Sequence, residues 1–229
     1  AFVSAHNLLR HGLCDAVLVG GVDSLCKLTV NGFAALESIS PEVCNPMSRN
    51  RNGINIGEGA ALFLMTRDES AFAFLGAGES SDAYHMSAPH PEGLGAEAAM
   101  RAALADAGLA EGAVDYLNMH ATATLKNDAM ESLAISRLFP SGIAASGTKP
   151  MTGHALGAAG ATELGLCWLA LRDGFLPPHV WDGEIDPALP RLELVEPGQR
   201  FRRSSGRVCM SNSFAFGGSN ASLLIGDAP

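Results

Sequence analysis

The sequence predicts an α/β protein with a mostly parallel sheet and helices on its faces. Three observations carry that expectation: strand-like and helix-like segments alternate, the strand-like runs are short and continuously apolar, and the chemistry-bearing residues follow strand ends. An apolar run without polar alternation suits a strand covered on both faces, the usual condition of a parallel sheet between helix layers.

Taken in order, residues 2–10 place Phe2, Ala5, Leu8 and Leu9 at helical spacing, and Gly12 supplies the stop. Residues 16–21 are an apolar run ending in two glycines, which predicts a buried strand. A short helix over 28–38 follows, then a loop over 44–58 rich in Asn, Arg and Gly, then a second buried strand over 60–65. Residues 72–78 read as a strand and the alanine-rich 95–107 as a helix closed by Gly108. The strand over 114–119 delivers His120 at its C-terminal end. Asn127 then caps a helix reaching Arg137, with Asp128 and Glu131 in its first turns, the end of the macrodipole that favours carboxylates. A brief strand over 142–145 leads to a long helix over 152–171, whose small residues admit close backbone approach. Proline-rich residues 177–197 form a loop, and strands over 207–212 and 221–225 flank a glycine turn. The last α/β unit echoes the first, as in an internally duplicated fold.

Composition narrows the function. With 229 residues and 47% hydrophobic content the chain can bury a sizeable core. A formal charge of -9 with 15 Lys+Arg removes the cationic footprint that nucleic-acid binding needs. An acidic protein partner would have to dock on a local basic patch, for which Arg49 with Arg51, or Arg200 with Arg202 and Arg203, are candidates. Five cysteines, odd in number and dispersed among aliphatic residues, predict reduced thiols in a cytoplasmic protein. No apolar stretch approaches the ~20 residues of a membrane span. The chain opens at Ala1, within a predicted helix and without methionine, which predicts a portion of a larger fold.

Three segments carry chemistry. In His120-Ala121-Thr122-Ala123-Thr124 the imidazole can point into a cleft while the threonine hydroxyls bind an amide-bearing ligand. In residues 147–154, Lys149 precedes His154, which opens the predicted long helix; the positive helix end would keep that ring neutral. Glu163 interrupts the same helix on the face opposite His154, and a buried carboxylate needs a cation, of which Lys149 is nearest in sequence. In residues 212–220, Phe214 and Phe216 lead into glycines whose sharp turn frees backbone N–H groups for an oxyanion. Taken singly, these features also read as a strand-end histidine, a helix-entry histidine, a surface lysine and a glycine hairpin. His85 and His90 lack the Cys pair or His-x3-His spacing of a metal site, so none is expected.

Residues 16–23, 51–61, 120–131, 149–163 and 211–222 resemble, in order and spacing, segments of the β-ketoacyl-acyl-carrier-protein synthases of the thiolase superfamily. The resemblance implies a thiolase-like layered αβαβα fold, with residues 1–68 ending its N-terminal half and 69–229 forming the complete C-terminal half. It implies that His120 and His154 bind malonyl, promote decarboxylation and stabilise the enolate. Lys149 would be the active-site lysine, held by Glu163 and by Asp128 or Glu131. Thr122 and Thr124 would contact the phosphopantetheine arm. Phe216 would gate the site and lend its N–H to an oxyanion hole, with Phe214 nearby.

The resemblance further implies no metal or other cofactor, since substrates ride on the phosphopantetheine of an acyl carrier protein. It implies a dimer, either a homodimer or a heterodimer of ketosynthase and chain length factor, with residues 15–21 near its interface. The family's nucleophilic cysteine would lie just upstream of Ala1, because none of Cys14, Cys26, Cys44, Cys167 and Cys209 occupies its setting. The missing N-terminal half would then be needed for stability, and the isolated polypeptide should aggregate or be inactive. Two positions depart from the family pattern: Ala121 and Ala215 stand where glycine is usual, costing about 1 kcal/mol wherever φ is positive. The wording of residues 51–61 and 82–93 is similar to that of specialised bacterial synthases, including those making aryl polyenes. A non-catalytic partner of the chain-length-factor kind is the alternative, and the retained histidines and Lys149 argue against it. A thiolase-type transferase would need a second cysteine where Ser213 to Phe216 stand.

Overall fold

The computed structural model describes residues 1–228. Helix α1 (Phe2–Arg10) turns at Gly12, where φ is 67°, into β1 (Ala16–Asp23), followed by α2 (Lys27–Ala35) and, after a long loop, β2 (Gly59–Thr66). Next come β3 (Phe72–Ser81), α3 (Leu94–Ala107), β4 (Tyr116–Asn118), α4 (Leu125–Leu138) and β5 (Ala144–Ser146). Then follow the single turn α5 (Lys149–Thr152), α6 (Ala159–Asp173), the short β6 (Glu193–Leu194), β7 (Val208–Phe214) and β8 (Ser219–Asp227).

Strands β1 and β2 form an antiparallel pair in which Leu18 faces Leu64. The other strands form one sheet in the order β3-β8-β7-β4-β5-β6. Strand β4 pairs in parallel with both β7 and β5, and β5 with β6, but β3–β8 and β8–β7 are antiparallel. The expected mostly parallel sheet is therefore corrected to a mixed one. The cause is local: the tight turn over 215–218 joins β7 directly to β8, and so short a connection can make only an antiparallel pair.

Helix α6 packs against β1 and β2 on one side and β7 and β8 on the other, while α3 and α4 cover the opposite face of the six-stranded sheet. Neighbouring residues on a strand thus enter different cores. Tyr116, Cys209 and Ile225 face the α6 layer, whereas Leu117, Met210 and Leu224 face the α3 and α4 layer. That explains why the sequence of these strands is apolar at successive positions. The resulting β, α, β, α succession is four layers of the layered α/β arrangement. On the outer face of the β1–β2 pair, Leu18, Val22, Leu62 and Leu64 are 60–70% exposed.

The helix expected over 152–171 is interrupted. Helix α5 begins with Pro150 in its first turn, Gly153 breaks it at φ 68° and ψ 173°, and His154 runs extended beside Ile56 before α6 begins. Two glycines allow that pairing, since a Cβ on Gly153 would lie 2.7 Å from the Cα of Gly57. Asn127 is not a cap either. Thr124 holds the extended cap position of α4, and Asn127 lies in its first turn.

Candidate active site

The C-terminal end of β4 and the loop after it place His120, as the sequence predicts. Backbone strain shapes this loop: Ala121 sits at φ 40° and Ala123 at φ 61°, in the left-handed region that favours glycine. Two buried carboxylates hold it there. Glu131 accepts from the N–H groups of His120 and Ala121, both at 2.7 Å. Asp128 accepts from Ala123 N–H at 3.1 Å and from Met47 N–H at 2.8 Å. Both carboxylates interact with Lys149 through its charge, while their hydrogen bonds go to the backbone. Burial pushes Asp128 up to about 6 and Glu131 up to about 7, against the donors that favour the ionised form. At Ala215 φ is -92°, so the second departure from glycine carries no strain.

Lys149, 1% exposed at the start of α5, donates from Nζ to the His120 carbonyl and to Glu163 Oε1, and lies 3.4 Å from His120 Nδ1. The partnership expected for Glu163 is therefore present. It forms across the break between α5 and α6, so the argument from opposite faces of one helix does not apply. Burial raises the Glu163 carboxyl while the adjoining ammonium lowers it.

His120 and His154 meet edge to face, with ring centroids 5.2 Å apart and planes at 82°. Phe214 lies 6.1 Å from the His120 ring. Burial holds His154 down to about 3, assisted by the charge of Lys149. Burial also holds His120 well below the ordinary histidine value, with Lys149 and His154 adding to it. Both rings are thus neutral, but the reason for His154 is corrected: it stands outside any helix, so burial and not a helix dipole is the cause.

A cavity of about 400 Å³ brings these groups together, and His120, His154, Thr122, Thr124, Phe214 and Phe216 all line it. The Thr122 and Thr124 hydroxyls are 3.0 Å apart. None of the five cysteines lines this cavity. At its rim Phe216 stacks on Phe33 of α2 at 5.7 Å, a contact the sequence reading missed because α2 carries no motif. In the glycine turn Ala215 N–H donates to Ser219 and Gly218 N–H to Ala215, and Phe216 and Gly217 lie between these two committed donors.

Of the candidate basic patches, Arg51 is buried, while Arg49, Arg202 and Arg203 stay exposed in surface ion pairs. Arg51 is buried against Asp186 at 2.5 Å and Asp128 at 4.0 Å, and Arg49 pairs with Glu184. Arg202 and Arg203 pair with Glu193 and Asp115, and Arg200 lies over the Phe175 ring. Sequence reasoning also missed His179, whose Nδ1 accepts from Gly147 N–H at 2.9 Å and whose Nε2 is 3.0 Å from the Pro46 carbonyl. No group of three potential metal ligands occurs among the described residues, and no helix there is long and apolar enough to cross a membrane.

The chain has counterparts among known proteins. Residues 1–71 match the beta-ketoacyl synthase N-terminal domain, and residues 72–181 match the beta-ketoacyl synthase C-terminal domain. The chain is 39% identical to nodulation protein E of Rhizobium meliloti, covering 98% of this chain and 58% of that protein. It is 36% identical to 3-oxoacyl-[acyl-carrier-protein] synthase 2 of Coxiella burnetii, covering 96% of this chain and 57% of that one. Among solved structures, the ketosynthase (ApeO) in complex with its chain length factor (ApeC) from Xenorhabdus doucetiae gives a TM-score of 0.94 at 49% identity, over 99% of this chain and 57% of that chain. The present chain thus spans less than two thirds of the length of these relatives. By both halves of the family match and by the layered fold, the chain belongs to the β-ketoacyl synthases of the thiolase superfamily.

Proposed function

We propose that the full-length protein condenses an acyl thioester with malonyl-acyl carrier protein by a decarboxylative Claisen reaction, in fatty-acid or polyketide-type synthesis. The observation that carries this reading is the pair of neutral imidazoles, His120 and His154, facing each other at 5.2 Å in one cavity. Cleavage of the bond between the malonyl C2 and its carboxylate releases carbon dioxide and leaves the electron pair on the thioester as an enolate. A neutral imidazole keeps an N–H donor for that oxygen, and in a desolvated site such a donor stabilises developing charge strongly. Lys149, donating to His120 Nδ1, would leave the Nε2 proton to serve this purpose.

The nucleophilic C2 then attacks the carbonyl of an acyl group held on a cysteine of the full-length protein. The tetrahedral oxyanion forms near the glycine turn, where the Phe216 N–H serves as donor and the Phe216 ring as gate. The cysteine thiolate leaves and the β-ketoacyl chain remains on the carrier. Thr122 and Thr124 contact the phosphopantetheine arm, Phe214 walls the His120 ring, and Lys149, Glu163, Asp128 and Glu131 position the machinery. No metal or other cofactor enters this chemistry.

The family matches, which meet at residues 71 and 72, support a division into residues 1–68 of an N-terminal half and 69–229 of a C-terminal half. The partner is an acyl carrier protein, and the protein acts in the cytoplasm as a dimer. The 49% identical ketosynthase in complex with its chain length factor supports a heterodimer, and an aryl-polyene-like role rests on the wording of residues 51–61 and 82–93. The retained pair of histidines beside Lys149 favours the catalytic subunit over a chain-length-factor-like one. The test is condensation itself: full-length protein given an acyl donor and malonyl-carrier protein should release one carbon dioxide per β-ketoacyl-carrier formed. A protein that shapes another subunit's pocket would release none alone.

A further inference from the structure

The cavity that holds the two histidines continues past Phe216. A second cavity, of about 520 Å³, lies against it, and Ser38, Thr124, Asn127 and Phe216 line both. This shared wall carries two hydroxyls, one carboxamide and an aromatic ring, and no charge. Asn127, in the first turn of α4, is 7% exposed, and its Nδ2 has no hydrogen-bond partner among the described residues. A buried amide without a partner is unfavourable, so a ligand that hydrogen-bonds it is favoured. Turning the terminal amide by 180° exchanges nitrogen and oxygen, so Asn127 can offer the cavity a donor or an acceptor. A secondary amide carries both complements.

We infer that Asn127 is a substrate-binding residue that hydrogen-bonds an amide of the substrate's arm where the arm passes from the outer cavity to the histidines. This deepens the proposed function and rests on it, because it takes a malonyl thioester on an amide-bearing arm as the substrate. An uncharged polar wall suits that arm.

The experiment compares full-length wild-type protein with Asn127→Leu in carbon dioxide release from two soluble esters: malonyl-pantetheine, whose arm carries amides, and the malonyl thioester of a straight-chain alkanethiol of matched length, which carries none. The expected result is that the preference in kcat/KM for malonyl-pantetheine over the alkyl ester falls about tenfold, the equivalent of one hydrogen bond of about 1.4 kcal/mol, mainly through KM. If Asn127→Leu does not fold, Asn127→Ala, which only removes atoms, should show the same loss of preference. A preference that stays constant in a folded variant, or equal losses on both esters, overturns the inference while the proposed function stands. Wild-type protein inert towards both esters overturns the proposed function and the inference with it.

Discussion

Glu131 grips His120 by the backbone: the histidine's own N–H donates to the carboxylate at 2.7 Å, from a residue one helix away. The ring is therefore aimed by a carboxylate that need not touch substrate. Replacing Glu131 with Gln turns one acceptor into a donor facing the N–H of His120 or Ala121. The expected loss is about 1–3 kcal/mol of stability and roughly ten- to a hundredfold in the rate of carbon dioxide release, from a displaced imidazole. Denaturant midpoints and a malonyl decarboxylation assay on full-length protein check both; an unchanged rate would show that Glu131 does not position the ring.

Lys149 and Glu163 form an ion pair in which both side chains are nearly fully buried. Removing either partner alone strands a charge, so Lys149→Met should cost about 3–5 kcal/mol. Replacing both residues, Lys149→Met with Glu163→Leu, should recover much of that stability without recovering decarboxylation, because the charge beside His120 is gone. Unfolding curves for the single and double variants provide the measurement. A double variant as unstable as Lys149→Met would refute the account of a stranded carboxylate.

Ala121 and Ala215 occupy positions where the family usually has glycine, yet only Ala121 lies at positive φ. Ala121→Gly should relieve strain and gain up to about 1 kcal/mol, while Ala215→Gly should be neutral or slightly destabilising through unfolded-state entropy. Equal effects in thermal melts of the two variants would contradict the assigned backbone geometry. Gly147 sets a limit on the same loop, since a Cβ there would lie 2.4 Å from that of Ala121.

His179 ties the loop before Lys149 to Pro46, and burial lowers its pKa from 6.5 to about 4. Its folded value lies below its unfolded value, so the unfolded chain takes up the proton first as pH drops. The contribution of His179 is therefore complete above about 6.5 and is lost as pH falls from 6.5 towards 4. Asp128 and Glu131, whose values are raised, act in the opposite sense and remain in both proteins compared. The difference in stability between wild type and His179→Gln, followed from pH 7.5 to about 4.5, should shrink on acidification. A difference independent of pH would contradict it.

Much of this arrangement was legible in the sequence because it is local. The strand feeding His120, the apolar runs later found between two cores, and the pairing of Lys149 with Glu163 follow from periodicity and from the cost of burying an unpaired carboxylate. What escaped depends on residues distant in sequence. The break at Gly153 follows from backbone contact with Gly57, and Arg51 is buried because Asp186 meets it across 135 positions. The antiparallel β7–β8 pair comes from the short glycine turn, but the docking of β3 on β8 joins residues far apart in sequence, which strand composition does not encode. Asn127 read as a helix cap because its type suits that role, whereas Thr124 had already taken the extended position.

The central claim is that two neutral imidazoles hold the enolate formed from malonyl. The most direct measurement is carbon dioxide release from malonyl-carrier protein by full-length protein carrying His154→Ala, with folding verified by its unfolding transition. The account predicts that release is abolished while the fold persists; release at the wild-type rate would contradict it.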